Sequence, residues 1–245
     1  MRKAVALLVA LFLTASCLMA TKPAFSSVDA AENTWVTKAP VHVARSNLGV
    51  AVVDGKIYAV GGLVGNGVVT GVNEVYDPET DTWENKTVMP TARGYITANV
   101  VKGKIYVIGG FVFDDSGTGS GSSLAVNEAY DPETDSWITK TPMPTAAFGH
   151  ISTVVDDKIY VIDSNLNQIY DVKTDTWSLG ASPPSDVGYG GAGATVGVNA
   201  PKRIYVLTEK VWGGLASTKF MTLRMTVGCL ALLCRHPASI LMWRS

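Results

Sequence analysis

An eight-residue stretch that occurs three times constrains the fold of this chain more than any other feature. It begins with Tyr and ends with Trp, and its copies cover residues 76–83, 130–137 and 170–177. The tryptophans of successive copies are 54 and 40 residues apart, and Trp35 lies 48 residues before the first of them. A period of about 20–50 residues is typical of solenoids, propellers and other repeat arrays. The chain is therefore expected to build one structural unit several times.

Each period has the pattern of four antiparallel strands. Short runs rich in Val, Ile and Tyr favour strands, and Lys-Ile-Tyr followed by two aliphatic residues recurs at 56–60, 104–108 and 158–162. Tight turns at 54–56 and 102–104 join the first two of these runs to an earlier apolar segment. In the eight-residue stretch, Asp77 and Pro78 predict a turn between a third and a fourth strand. Four antiparallel strands are the unit of a propeller blade.

Paired glycines after the second strand, followed by Tyr and Trp across a polar turn, resemble kelch repeats over roughly residues 34–207. The resemblance implies an all-β fold, a kelch-type β-propeller of four-stranded antiparallel blades. The third unit departs from the pattern, because Asp163 and Ser164 stand where the glycine pair belongs. The residues that carry the repeat are Gly61, Gly62, Tyr76, Trp83, Gly109, Gly110, Tyr130, Trp137, Tyr170 and Trp177.

The repeat units divide the chain into about four blades between residues 31 and 209, of which the first and last are partial. Full units cover roughly 41–86, 92–140 and 146–179, and 188–207 begins another. Residues 34–37 resemble a fourth strand without the three before it. The propeller is therefore expected to be incomplete in this chain, and an unclosed propeller would leave a blade face open to self-association.

Both ends of the chain differ from the repeats. Residues 1–30 have a basic start and an apolar stretch, and are predicted to be an export signal. The sequence leaves open cleavage before Ala31, lipidation of Cys17 and an uncleaved anchor, the last two being the predicted routes to a membrane. Residues 210–245 contain no Asp or Glu but five Lys or Arg. A shifted reading frame or a truncated gene is the preferred interpretation of this basic tail, and a partner-binding or membrane-touching tail is the alternative.

Composition narrows the choice of partners and cofactors. The formal net charge is −1 and no basic stripe is present, so a nucleic acid is not expected as a partner. The repeat region contains no Cys, which argues against a thiol nucleophile or a Cys-based metal site. His42, His150 and His236 lie in separate parts of the sequence. The sequence accordingly predicts no catalytic residue, no metal and no cofactor.

Two arginines are candidate ligand-binding residues. Arg45 and Arg93 occupy corresponding connections between blades, on the face that often binds ligands in kelch proteins, and an arginine can grip a carboxylate with two hydrogen bonds. The alternative is that both pair with neighbouring acids or backbone carbonyls, which is favoured by Ala147 at the same position of the third unit. The loop at 114–121 is interpreted as flexible, with cation binding as the alternative.

The function predicted from these features is that of an exported, non-catalytic module, outside the cell, at its surface or in the periplasm. Its loop face would bind a protein or a carbohydrate. One alternative is a carbohydrate-active enzyme, because some exported kelch propellers resemble sialic-acid mutarotases (N-acetylneuraminate epimerases). Another alternative is a purely structural repeat of the cell surface. The fold alone does not choose among them, because propellers support many functions.

Overall fold

The computed structural model describes residues 35–114, 120–183, 187, 190–195 and 203–208. The predicted export signal at 1–30 and the basic tail after residue 209 lie outside the described residues. Within those residues there is no α-helix, and no helix is long and apolar enough to cross a membrane.

Eighteen strands follow one another along the described chain. The first unit contains β1 (Gly49–Val53), β2 (Lys56–Val60), β3 (Leu63–Val64), β4 (Val68–Val69), β5 (Asn73–Asp77) and β6 (Thr82–Lys86). The second contains β7 (Thr97–Val101), β8 (Lys104–Ile108), β9 (Phe111–Phe113), β10 (Gly121–Ser123), β11 (Asn127–Asp131) and β12 (Ser136–Thr139). The third contains β13 (Ile151–Val155), β14 (Lys158–Asp163), β15 (Leu166–Asp171) and β16 (Thr176–Leu179), and β17 (Gly190–Thr195) and β18 (Arg203–Thr208) follow.

The strands form blades in the order that the repeat predicts. The four-stranded sheets are β1-β2-β5-β6, β7-β8-β11-β12 and β13-β14-β15-β16, and every neighbouring pair is antiparallel. The hairpins β3–β4 and β9–β10 extend the connection between the second and third strands of the first two blades. Strands β17 and β18 pair as the beginning of a fourth unit. The predicted all-β architecture of four-stranded antiparallel blades is confirmed.

Successive blades pack face to face through apolar side chains from alternate strand positions. In β1, Ala51 and Val53 are buried, and they belong to a core cluster that includes Ile105 and Val107 of the next blade. The ring of Tyr58 lies 5.9 Å from that of Tyr130, and an equivalent tyrosine pair joins the second blade to the third at 6.0 Å. Each Lys-Ile-Tyr stretch therefore directs its tyrosine towards the following blade, which explains why this residue recurs.

The segment before the first blade differs from the expectation. Residues 35–37 form no strand, and the Trp35 side chain is fully exposed. The predicted fourth strand at 34–37 is therefore wrong for the residues that the structure describes.

Candidate functional site

The predicted ligand-binding arginines lie at one end of the blades, on a surface that we call the loop face. It is formed by the connections between second and third strands and by those that lead from one blade into the next. Backbone bridges join the two kinds of connection, Ser46 to Leu63 and Gly94 to Phe111. The loop face comprises residues 45–48, 63–69, 93–96, 111–114, 120–123, 147–150 and 163–166.

Arg93 is enclosed in the second blade by one carboxylate and three carbonyl oxygens. Its side chain is 0% exposed, and its Nη1 forms an ion pair with Glu128, whose side chain is 2% exposed. Nε donates to the carbonyl of Gly109 at 2.8 Å, Nη1 to Thr91 at 2.7 Å and Nη2 to Val107 at 2.9 Å. Burial lowers the pKa of the guanidinium, while the Glu128 carboxylate acts in the opposite direction.

Arg45 repeats this arrangement in the first blade. Its fully buried side chain pairs with Glu74, and it donates to the carbonyls of Gly61 at 2.9 Å, Val43 at 2.8 Å and Ala59 at 2.7 Å. Glu74 also lies 3.2 Å from Nδ1 of His42, which is half exposed. Of the five N–H donors of an arginine, four are therefore used inside each of the two blades.

The third blade lacks both members of this pair. Ala147 occupies the position of Arg93, and the neutral Gln168 occupies that of Glu128. The Gln168 side chain accepts a hydrogen bond from the Thr145 amide at 2.9 Å and donates one to the Thr145 carbonyl at 3.0 Å. Because arginine and glutamate are lost together, no buried charge is left without a partner, as expected if their role is structural.

The contacts of Arg45 and Arg93 thus match the alternative interpretation of the sequence, in which both arginines pair with acids and carbonyls. The bidentate grip on a ligand carboxylate would require each guanidinium to leave a glutamate to which it is already bonded. Ligand binding by these two side chains stays a prediction. Each side chain neutralises a buried glutamate and bonds three backbone carbonyls, and these structural contacts account for its position.

The recurring aromatic residues have a common set of contacts. The hydroxyl of Tyr130 donates to Asp135 at 2.6 Å, and the Asp135 carboxylate accepts the backbone amide of Thr87 from the preceding connection at 2.9 Å. The Trp137 indole donates to the carbonyl of the same Thr87 at 2.8 Å. The hydrogen bond from Tyr130 is the main cause that lowers the pKa of Asp135. The Tyr-to-Trp stretch therefore forms hydrogen bonds between the blade and the connection that precedes it in the chain.

The first and third blades make the same contacts. Tyr76 and Tyr170 donate to Asp81 and Asp175, each at 2.5 Å, and the bond to Asp81 raises the pKa of Tyr76 to about 12. The indoles of Trp83 and Trp177 donate to backbone carbonyls at 2.9 and 2.8 Å.

The paired glycines adopt backbone conformations that side chains rarely allow. Gly109 and Gly110 have φ of 64° and 110°, and Gly61 and Gly62 have 61° and 105°. A Cβ added to Gly110 would lie 2.5 Å from the Cγ2 atom of Ile96, which is too close for any real contact. Ile96 lies in the connection that enters the same blade, whereas a Cβ added to Gly109 would lie 2.5 Å from the carbonyl oxygen of Ala147, in the connection that enters the next blade. These glycines therefore allow both connections to pass close to the end of the second strand.

A cluster of four aromatic rings stands on the loop face, and sequence reasoning missed it. The rings of Phe111 and Phe148 are 4.9 Å apart, and Phe113 lies 5.0 Å from Phe111. Tyr95 packs edge-on against Phe111 at 6.3 Å and Phe148 at 6.1 Å. All four residues remain partly exposed. The four rings come from two interblade connections and the β9–β10 hairpin. They are therefore far apart in the sequence and come together only in the folded chain.

The repeat itself shows that the fold does not require these rings. At the position of Tyr95 the neighbouring units have Asn47 and Gly149, and all three have positive φ, at 53°, 52° and 59°. Asn and Gly adopt this left-handed region readily, whereas a tyrosine there carries strain of about 1 kcal/mol or more. The backbone amide of Tyr95 donates to Asn47 at 2.9 Å and its carbonyl accepts from Gly149 at 3.0 Å. The neighbouring blades hold Tyr95 in this conformation.

A similar comparison applies to Phe148 and Phe111. Phe148 stands where the other units have Ser46 and Gly94, and Phe111 stands where the first has Leu63. Departures from the repeat that gather in one place are the signal by which the sequence could have identified this site. The signal was missed because positions in different units have to be aligned through the strand register before the departures are visible.

His150 follows Phe148 by two residues in the connection that enters the third blade. Its side chain is buried, and Nε2 lies 2.8 Å from the Thr97 hydroxyl. Burial lowers the pKa of the imidazole to about 4, so the ring is neutral at physiological pH. Leu48 and Ile96 occupy this position in the other units, which indicates that the surroundings of this position suit an apolar side chain.

The glycine-rich loop of the second blade is only partly described. Asp114 is exposed, and its amide donates to the Ser120 carbonyl at 2.9 Å, which closes the β9–β10 hairpin. The remainder of the loop, residues 115–119, lies outside the described residues. Its interpretation as a flexible loop or a cation site therefore stays a prediction.

Comparisons with known proteins agree with the blade architecture. The family model for the kelch motif matches residues 44–90 and 92–144. Kelch-like protein 36 of Bos taurus is 27% identical over 163 residues, which are 61% of this chain and 25% of that protein, so the chain spans a quarter of this curated relative. A solved structure described as "Structure of YjhT" has a TM-score of 0.57 and 20% identity, and the match covers 70% of this chain and 62% of that one. With its repeated Gly-Gly and Tyr-to-Trp stretches folded into four-stranded antiparallel blades, the chain carries kelch motifs and has the blade architecture of a kelch-type β-propeller.

Proposed function

We propose that this chain is an exported, non-catalytic binding module that binds a partner protein with its loop face. The observation that carries the proposal is the cluster of Tyr95, Phe111, Phe113 and Phe148. Kelch repeats commonly mediate protein interactions, and aromatic side chains are enriched where protein interfaces concentrate their binding energy. Export is supported by the basic and apolar character of residues 1–30.

The apolar surface extends beyond the four rings. Strand β4 lies beside β9, and Val68 at the start of β4 is 58% exposed. The two hairpins together place aliphatic and aromatic side chains next to exposed polar residues, among them Ser46 and Asn47. An apolar centre with a polar rim is the usual anatomy of a protein interface.

The alternative of a sialic-acid mutarotase gains no support from Arg45 and Arg93. Both side chains are fully buried and bonded to a glutamate, so neither presents a guanidinium to an acidic sugar. A carbohydrate ligand remains an outcome to be tested, since aromatic rings also pack against sugars. A purely structural surface repeat would bind neither class of ligand.

The test uses one double variant, in which two aromatic residues are replaced by the residues at the same positions of the first unit. Tyr95→Asn and Phe148→Ser introduce residues that the same backbone positions already hold in the first blade. The purified full chain and the double variant would be probed against an array of surface and secreted proteins and against a glycan array. We expect the wild type to bind a protein, and the double variant to bind it at least about tenfold more weakly with an unchanged melting temperature.

Three outcomes would contradict parts of the proposal. Binding to glycans alone would replace the protein ligand by a carbohydrate. Equal binding by wild type and double variant would remove the aromatic cluster from the site. Mutarotation of sialic acid by the purified chain would make the protein an enzyme. Intact-mass analysis of protein produced with residues 1–30 tests export. We expect an N-terminus at Ala31, and an unprocessed Met1 in protein from the cell interior would contradict export.

A further inference from the structure

We infer that the loop face selects a positively charged segment, in which Lys or Arg of a partner protein lies next to apolar side chains. This inference rests on the proposed function, because it specifies the ligand of the same surface. It reverses the sign of charge that the arginines suggest in the sequence.

The aromatic rings provide the first reason. The face of an aromatic ring carries negative electrostatic potential and attracts a cation placed within about 6 Å of its centre. The four ring contacts within this cluster have centroid distances of 4.9 to 6.3 Å and are tilted or perpendicular. Rings in different orientations on one partly exposed patch can direct more than one face towards the same bound cation.

The distribution of charge on the loop face provides the second reason. Among the described residues of this face, the arginine and lysine side chains are Arg45 and Arg93, and both are 0% exposed and paired with glutamate. Asp114 is an exposed acidic residue that follows Phe113 directly in the chain. Asp163 adds a second carboxylate, partly exposed, in the corresponding turn of the third blade.

An anionic ligand would fit this surface poorly. Its carboxylate would lose water on approaching the rings, and the described part of the loop face offers no accessible guanidinium or ammonium group to replace that water. A lysine or arginine side chain can instead lay its apolar stem along the rings and keep its charged end near Asp114. The neighbouring Val68, more than half exposed, gives an apolar residue of the same segment a place to pack.

A displayed library of random peptides tests the charge of the preferred ligand. The immobilised full chain would be used for selection, and the Tyr95→Asn and Phe148→Ser double variant for removal of peptides that bind elsewhere. We expect the remaining peptides to be enriched in Lys or Arg next to aromatic or aliphatic residues. Their affinity should fall at least about tenfold in the double variant.

A second measurement isolates the carboxylate. Asp114→Asn keeps the shape of the side chain but removes its charge, and we expect it to weaken a selected peptide about two- to fivefold, less so at high salt. Asp157→Asn is the matched control, because Asp157 is a half-exposed acid in a turn between the first and second strands of the third blade. It should leave the affinity unchanged.

The outcomes separate this inference from the proposed function. Acidic or uncharged peptides that depend on Tyr95 and Phe148 would overturn the charge preference and leave the aromatic binding site intact. The same holds if Asp114→Asn strengthens binding or has no more effect than Asp157→Asn. If no selected peptide distinguishes wild type from the double variant, both the inference and the proposed protein-binding site fail.

Discussion

Replacing Arg93 by alanine should strongly destabilise the protein, because it leaves the carboxylate of Glu128 buried without its counter-charge. Arg93 is fully buried and Glu128 is 2% exposed, so water cannot take over the lost interactions. Breaking a buried ion pair on one side costs about 3–5 kcal/mol of the free energy of unfolding. The carbonyls of Gly109 and Val107 lose their donors in the same variant.

The third blade indicates which second substitution should relieve the defect. It combines Ala147 with Gln168, whose amide bonds both backbone groups of Thr145. Thr91 stands at the position of Thr145 in the second blade, so a glutamine at position 128 has the same partner. The double variant Arg93→Ala with Glu128→Gln should therefore recover about 1–3 kcal/mol relative to Arg93→Ala alone.

Urea unfolding followed by tryptophan fluorescence measures these differences, and circular dichroism confirms that each variant starts from the folded state. Lys102→Ala is a suitable control. Lys102 pairs with Asp157 at 2.8 Å, but the two side chains are 60% and 50% exposed, so the loss should not exceed about 1 kcal/mol.

Two results would refute this account of the arginines. One is a loss below about 1 kcal/mol in Arg93→Ala, comparable to the surface control. The other is strict additivity, in which Glu128→Gln lowers the stability of Arg93→Ala as much as that of the wild type. A variant that keeps wild-type stability but loses a ligand would instead support the ligand-binding role predicted from the sequence.

Two further variants test other features of the blades. The pKa of His150 is about 4 in the folded protein and about 6.5 when unfolded, so the unfolded state binds more protons between these values and stability falls as the pH drops from 6.5 to 4. His150→Leu should make the melting temperature less dependent on pH across this range. An unchanged pH dependence would exclude His150 as the cause of the loss of stability. Gly110→Ala should destabilise more than Gly103→Ala. Both positions have positive φ, but a Cβ at 110 would collide with Ile96 whereas one at 103 has nothing within 4 Å. Equal melting temperatures would contradict the proposed close approach of the backbone.

The fold could be predicted from the sequence because its signals are local and repeated. The apolar residues from Lys104 to Ile108 predict a strand without reference to the rest of the chain. The turn at Asp131–Pro132 is predicted by the fixed φ of proline and by the hydrogen bonds that an aspartate side chain makes to the backbone. Repetition then multiplies each weak preference. Residues 35–37 show the limit of such signals, because Trp35 fits the spacing of the repeated tryptophans and yet these residues form no strand.

The candidate site could be predicted only in part. The connections that contain Arg45 and Arg93 could be placed at one end of the blades from the sequence, and ligand binding at that end stays a prediction. The burial of the two side chains could not be predicted, because it depends on residues that are distant in the chain. The local sequence around Arg93 does not indicate that its guanidinium will form an ion pair with Glu128, which is 35 residues away.

By itself, the sequence determined the unit of this protein: the four strands, their order, the turns and the residues that recur for structural reasons. These depend on backbone preferences and on alternation along a strand, which act between residues close in the chain. Only the tertiary structure decided which departures from the repeat come together. Tyr95, Phe111 and Phe148 belong to different connections, and the packing of one blade on the next brings their rings within 4.9 to 6.3 Å. The folding of each blade encloses its arginine, because the glutamate and the carbonyl groups that bind the guanidinium come from strands of the same blade and the connection that enters it.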